Sequence, residues 1–419
     1  MGIDRQRWSD EQTQKGLGFR QFPYPFKAML AICSDLDETT DWHAYWSVMH
    51  FLNSRDSGPL GTGVGLEVGN SIYFDMPRDQ FSYWNTDDHG RAMLRSLIRS
   101  GHVDCLHSFG DLASDRAHAG RALDELASHD CRLAVWVDHA VAPSNFGSDI
   151  MKGFGDLPGH RAYHADLTRD YGIRYVWKGR VTSVIGQDRP RSLRGIWNGR
   201  HPAASFRTLA KEAAKQTLSM SRKSRYRMHR PNRLASSARL RDGAVVTEFL
   251  RCNPHWAGVS SCDTADGIAN VITTPFLDRL VQRRGCCVLY THLGKRHRHN
   301  RDGVLGAAAM DCFRLLAERQ SRGDVLITTT RRMLDYWHAW NVTRLSVSRQ
   351  RHRHQIDLSL TAPGPSLEPQ GLTVYTDAAD TSEIRLNGRN LSTIVRNPVD
   401  ETGRPSISIP WRPLDFPQL

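Results

Sequence analysis

The sequence predicts an α/β protein: a distorted β/α barrel of about seven strands, followed by a small antiparallel β domain. Three observations predict it. Short, continuously apolar runs recur along most of the chain, amphipathic stretches separate them, and beyond Trp340 the pattern changes to short alternating runs broken by turn residues. Continuous apolar strands are buried on both faces, and their alternation with helices favours a parallel sheet.

The elements follow in order. Residues 1–27 are polar and end in FPYPF, where two prolines disfavour regular structure, so they read as an N-terminal lead-in. Ala28–Asp35 (AMLAICSD) is the first strand. An amphipathic helix over 87–99 leads through SGH into the strand Val103–His107. A helix over 114–128 precedes the strand in RLAVWVDH, and one over 160–171 passes through Gly172 into IRYVW. The strands AVVTEFL, CCVLYT and VLIT follow, with helices expected over 275–284 and 304–322. So many units between 28 and 341 favour closure into a barrel over an open sheet. The GTGVG at Gly61 to Gly65 lacks dinucleotide and Walker spacing and reads as a turn. From 342 to 419 the runs HQIDLSL, LTVYTD, EIRLNGRNL and SISIPW carry no helical period, and Asn387-Gly388 signals a hairpin.

Composition narrows the function. No run approaches the roughly 20 apolar residues of a membrane span, and the first residues do not resemble a signal peptide, so the expected compartment is the cytoplasm. The eight cysteines include no C-x-x-C pair and sit mostly in apolar runs, which predicts buried thiols rather than disulfides or a thiolate metal site. The net charge of +12 hints at an anionic partner. Most of it comes from a basic insert at about 205–242, where Arg207 to Arg241 holds eleven Lys or Arg and one acid, Glu212. That insert can attract an acidic polysaccharide or a lipid-linked sugar phosphate. No nucleic-acid-binding signature accompanies it, so nucleic acid is not the expected partner.

In a β/α barrel, catalytic groups project from the carboxyl ends of the strands. The first strand ends in Ser34-Asp35-Leu36-Asp37-Glu38, where alternation points Asp35 and Asp37 to one side and their repulsion calls for a cation or a shared proton. Leu106-His107-Ser108-Phe109-Gly110-Asp111 places an imidazole and a carboxylate where a glycine loop can bring both to zinc or another divalent ion. Later strands end in Asp138-His139 and in Tyr290-Thr291-His292. Trp136, Trp177, Trp256 and Tyr290 lie near these ends and are candidates for stacking on sugar faces.

With CSDLDETTD, LHSFGD and YTHLG in that order, residues 28–335 resemble the polysaccharide deacetylase superfamily of the NodB-homology or carbohydrate esterase type. The resemblance implies a metal-dependent hydrolase that removes an acyl group from an N-acylated sugar in surface polysaccharide metabolism. It implies Asp35 as the base, Asp37, His107 and Asp111 as metal ligands and His292 as the general acid. Zinc is the implied metal, with nickel, cobalt or manganese as alternatives. Asp138, His139, Trp136 and Tyr290 are expected to orient or bind the carbohydrate substrate. The family's acid pair is adjacent, whereas Leu36 intervenes here, and Asp111 stands where the family has His. WVDHAVAPSNFG replaces the usual arginine-proline motif. Two rival expectations remain: a glycoside hydrolase using Asp35 with Asp111 or Asp138, and a non-catalytic carbohydrate-binding protein.

Overall fold

A computed structural model describes residues 18–36, 38–220, 226–258, 264–295, 304–350, 353–361 and 369–419. The chain divides into two compact units, one of residues 28–331 with 414–419, the other of residues 1–27 with 332–413.

The first unit is built on a parallel sheet. Strand β1 (Ala28–Asp35) is buried at every position, as its unbroken apolar run demands. Helix α1 (Trp42–Asn53) follows, started by Asp41, whose side chain accepts from Ala44 N. Strand β2 (Gly69–Ile72) then precedes α2 (Asp88–Arg99) and β3 (Val103–His107). Next come α3 (Arg116–Ser128), β4 (Val135–Val137), α4 (Ala165–Tyr171), β5 (Tyr175–Trp177) and the short β6 (Val181–Thr182). Asp87 and Asp115 cap α2 and α3 by accepting from first-turn backbone N–H groups.

The basic insert contributes α5 (Pro202–Leu218) and then β7 (Ala235–Arg239), so its last part includes a sheet strand where a loop was expected. After β7 come β8 (Val245–Phe249), β9 (Arg251–Cys252), α6 (Thr274–Arg283), β10 (Cys286–His292), α7 (Ala307–Ser321) and β11 (Val325–Thr328). The ladder order is β7-β8-β5-β4-β3-β2-β1-β10, with β11 also paired to β1. Every pair is parallel except β7 with β8. The ladders form an open path, and none joins β7 to β10 among the described residues. A separate parallel pair joins β9 to β6. The GTGVG stretch forms the return arm of a tight hairpin, Ser57–Gly58 with Gly61–Thr62.

Register decides where the site lies. His292 is paired with Asp35, and a second row joins His107, Val137 and Trp177. The expected chemistry-bearing residues therefore stand at the carboxyl ends of their strands.

The second unit holds two four-stranded sheets. In one, Gly18–Arg20 from the lead-in pairs with Thr373–Tyr375, and Ser406–Ser408 and Val395–Asn397 complete an antiparallel sheet. The other joins Thr343–Gln350, Arg353–Leu360, Glu383–Leu386 and Arg389–Asn390, with the middle pair parallel. Asn387 and Gly388 both have positive φ, as a two-residue hairpin turn requires. Ile356, Leu358, Val374, Ile384 and Ile407 form one apolar core.

Candidate functional site

At the end of β1, Asp35 is fully buried and crowded by donors from three other strands. His107 Nε2 donates to Asp35 Oδ2 at 3.0 Å, and Ser71 of β2 donates its hydroxyl to Oδ1. From β10, His292 Nε2 stands 3.7 Å from Asp35 Oδ2 and 2.8 Å from the Tyr290 hydroxyl. Burial by itself would push the Asp35 carboxyl up. The charges of His107, His292 and Arg251, with the His107 hydrogen bond, outweigh burial and hold it well below the usual carboxylate range. Burial pulls His107 down to about 4 against the attraction of Asp35, so its charge acts on Asp35 only below about that pH, and above it a neutral imidazole donates to an anionic carboxylate.

Arg251, the first residue of β9, is entirely buried. Its guanidinium lies 4.0 Å from the Trp177 ring centroid and 4.3 Å from that of Tyr290, and Nη2 donates to Cys33 Sγ at 3.1 Å. A desolvated cation between two aromatic faces gains most from the ring quadrupoles. Nε and Nη1 have no hydrogen-bond partner, so the charge is directed at its surroundings rather than spent in one ion pair.

A second cluster lies beside the first. Tyr73 stacks on His107 with centroids 4.4 Å apart and meets the edge of His139 at 5.2 Å. His139 Nδ1 pairs with Asp111 Oδ1 at 2.8 Å, and that hydrogen bond holds the Asp111 carboxyl below its ordinary value. Sequence spacing led us to expect Asp111 to share an ion with His107; in the structure its carboxylate is paired with His139. The cause is local. Ser108, Phe109 and Gly110 all have positive φ, and a Cβ on Gly110 would meet Asp75 O at 2.3 Å. This turn re-aims the chain as it leaves β3.

Asp138 and Trp136, expected to meet substrate, are both fully buried. Asp138 Oδ1 accepts from Trp136 Nε1 at 2.7 Å and Phe146 N at 2.8 Å, and Oδ2 accepts from Gly147 N at 2.8 Å. Burial nonetheless raises its carboxyl to about 7. Trp136 packs between Phe109, Phe146 and His164 with no exposed surface. Trp256 lies flat on His201, with centroids 4.0 Å apart and planes at 1°.

The structure thus brings Asp35, His107, His292 and Tyr290 together and joins Asp111 to His139. Asp37 lies outside the described residues. Among the described residues, no group of three or more His, Cys, Asp or Glu side chains is placed to hold a metal ion. One atom fits a metal by its donor chemistry. His107 Nδ1 is buried without a hydrogen-bond partner, and with Nε2–H given to Asp35 it presents a lone pair.

Sequence reasoning missed Ser71, Tyr73 and Arg251. Ser71 sits in GNSI, a strand with no apolar run to reveal it. Arg251 carried a signal, a lone cation directly after the apolar run AVVTEFL. No family model, curated protein or solved structure matches this chain.

Proposed function

We propose that the first unit is a metal-dependent hydrolase of the polysaccharide deacetylase type, acting on the acyl group of an N-acylated sugar. The observation that supports this most directly is the buried Asp35 carboxylate, flanked by His107 and His292 at the carboxyl ends of three parallel strands. In this reading Asp35 takes the proton from the attacking water. His292, in contact with the Tyr290 hydroxyl, returns a proton to the departing amine nitrogen. Arg251 keeps Asp35 ionised without forming a direct ion pair. His107 Nδ1, with Asp37 and Asp111, would hold a divalent ion, zinc above nickel, cobalt or manganese. Such an ion supplies polarisation of the acyl carbonyl and a more acidic bound water.

The same reading takes the sheet as a distorted barrel. Trp177 of β5 and Tyr290 of β10 stack through Arg251, although four strands separate them along the ladder path. A glycoside hydrolase needs a second carboxylate free to act. Asp111 is paired with His139, and both oxygens of Asp138, like those of Asp35, accept hydrogen bonds from the protein.

Metal content of protein purified without chelator tests the proposal, together with acetate release from N-acetylated sugars. About one equivalent of metal, lost in Asp37→Ala and His107→Ala, is the expected result. A wild type that takes up none of the four metals when supplied would refute the mechanism and leave the non-catalytic carbohydrate-binding reading in its place.

A further inference from the structure

Helix α5 is turned inside out relative to an ordinary surface helix. Its buried residues are Ser205, Thr208 and Glu212. These polar side chains, with Lys215, bond to the protein beneath. Thr208 Oγ1 donates to Trp256 O at 2.7 Å, and Lys215 Nζ to Val181 O at 2.8 Å. Glu212 accepts from Thr182 Oγ1 at 2.9 Å and Ser183 N at 3.0 Å, and is charge-paired with Arg191 at 2.9 Å and Lys215 at 2.7 Å. The opposite stripe is Ala203, Phe206, Ala210, Ala213 and Thr217, all exposed, with Phe206 68% accessible. An ordinary amphipathic helix buries its apolar stripe and exposes its polar one.

The surroundings continue the pattern. Trp197 is 56% exposed, and Ser205 Oγ accepts from Asn198 N at 2.9 Å, which ties the Trp197 turn to the same end of the helix as Phe206. At the other end Met220 is 61% exposed. Arg200, Arg207 and Lys211 are exposed between these points and make no ion pair among the described residues. The charge is of one sign. From Arg189 to Arg241 the chain holds fifteen Lys or Arg and a single acid, the buried Glu212.

We propose that this outward face of α5, with Trp197 and Phe206 as apolar anchors and Arg200, Arg207 and Lys211 as cations, docks the protein on an anionic lipid surface. Exposed aromatic and aliphatic side chains among unopposed cations match the boundary between acyl chains and acidic headgroups. A nucleic acid would pair with the cations but offers nothing to Met220 or the alanine stripe. A second copy of the same face would set cations against cations. The inference is independent of the hydrolase reading.

Co-sedimentation of the full chain with phosphatidylcholine vesicles, with and without phosphatidylglycerol, tests it. We expect binding only to the anionic vesicles, weakened by added salt. Arg207→Gln with Lys211→Gln should weaken binding roughly thirtyfold, and Trp197→Ser with Phe206→Ser by about tenfold or more. Neither pair touches the inward bonds, so circular dichroism should be unchanged. Equal binding to both vesicle types, or binding to neither, overturns the proposal. So does tight binding to duplex DNA or RNA that the apolar variant keeps. A concentration-dependent dimer abolished by Phe206→Ser, without vesicle binding, assigns the face to a second copy instead.

Discussion

Asp35 and Asp138 stand at the ends of two strands of one parallel sheet, and both carboxylates have no solvent access. Their acidities nonetheless diverge, with Asp35 far below the ordinary range and Asp138 raised to about 7. Donor count does not explain this, since Asp138 accepts three hydrogen bonds from the protein. Charge does. Asp35 faces two imidazoles and a buried guanidinium, whereas Asp138 has an indole N–H, two backbone N–H groups and the attraction of Lys178 alone. At Asp138 the hydrogen bonds and a more distant charge lower the carboxyl but do not offset its desolvation, whereas at Asp35 the nearby opposite charges do. One position is thereby held ionised, and the other anchors the segment after β4 that carries His139.

The largest effect should come from the charged member. Asp35→Asn keeps the shape and removes the proposed base, so acetate release should fall roughly a thousandfold while the thermal transition persists. A variant retaining near-wild-type turnover would remove Asp35 from the chemistry.

Asp138→Ala should act on stability instead. It leaves three buried donors unpartnered and should cost about 2–4 kcal/mol in denaturant unfolding. Asp138→Asn sharpens the contrast through pH. The folded carboxyl keeps its proton to about 7, whereas an unfolded aspartate loses it near 4. The folded state therefore binds more protons across that window, and its contribution is complete below about pH 4 and lost as pH rises through 7. Between about pH 5 and pH 8 the wild-type Tm should fall relative to that of Asp138→Asn. Parallel curves would show that Asp138 is ionised throughout.

Arg251→Met tests the charge argument with a smaller effect. Because Arg251 lowers the Asp35 pKa, the acid limb of the pH–rate profile should move upward, with turnover reduced most on the acid side. A uniform loss without movement of that limb would assign Arg251 to packing alone. Ser71→Ala, which removes one uncharged donor to Asp35, should cost least, about threefold to tenfold in turnover.

Much of the sheet was legible because a strand buried on both faces must be a continuous apolar run. Ala28–Asp35, Val103–His107 and Cys286–His292 announce themselves that way. Gly69–Ile72 does not, since its buried Asn70 and Ser71 are tolerated only because Tyr45 and Asp35 meet them from other elements. The hairpin at Asn387-Gly388 was equally legible, because positive φ at two adjacent positions selects those residues.

The amino-acid order alone therefore placed Asp35, His107 and His292 at strand ends, since strand ends follow from local periodicity. Which of them touch was a tertiary matter. Asp111 went to His139 because three successive left-handed residues turned the backbone. Trp136 was buried because Phe109, Phe146 and His164 close over it. Arg251 became part of the Asp35 environment only when β5, β9 and β10 brought Trp177 and Tyr290 to either side of it. Periodicity reports the burial of one segment, but electrostatics depends on distances between segments, which exist only after the sheet has formed.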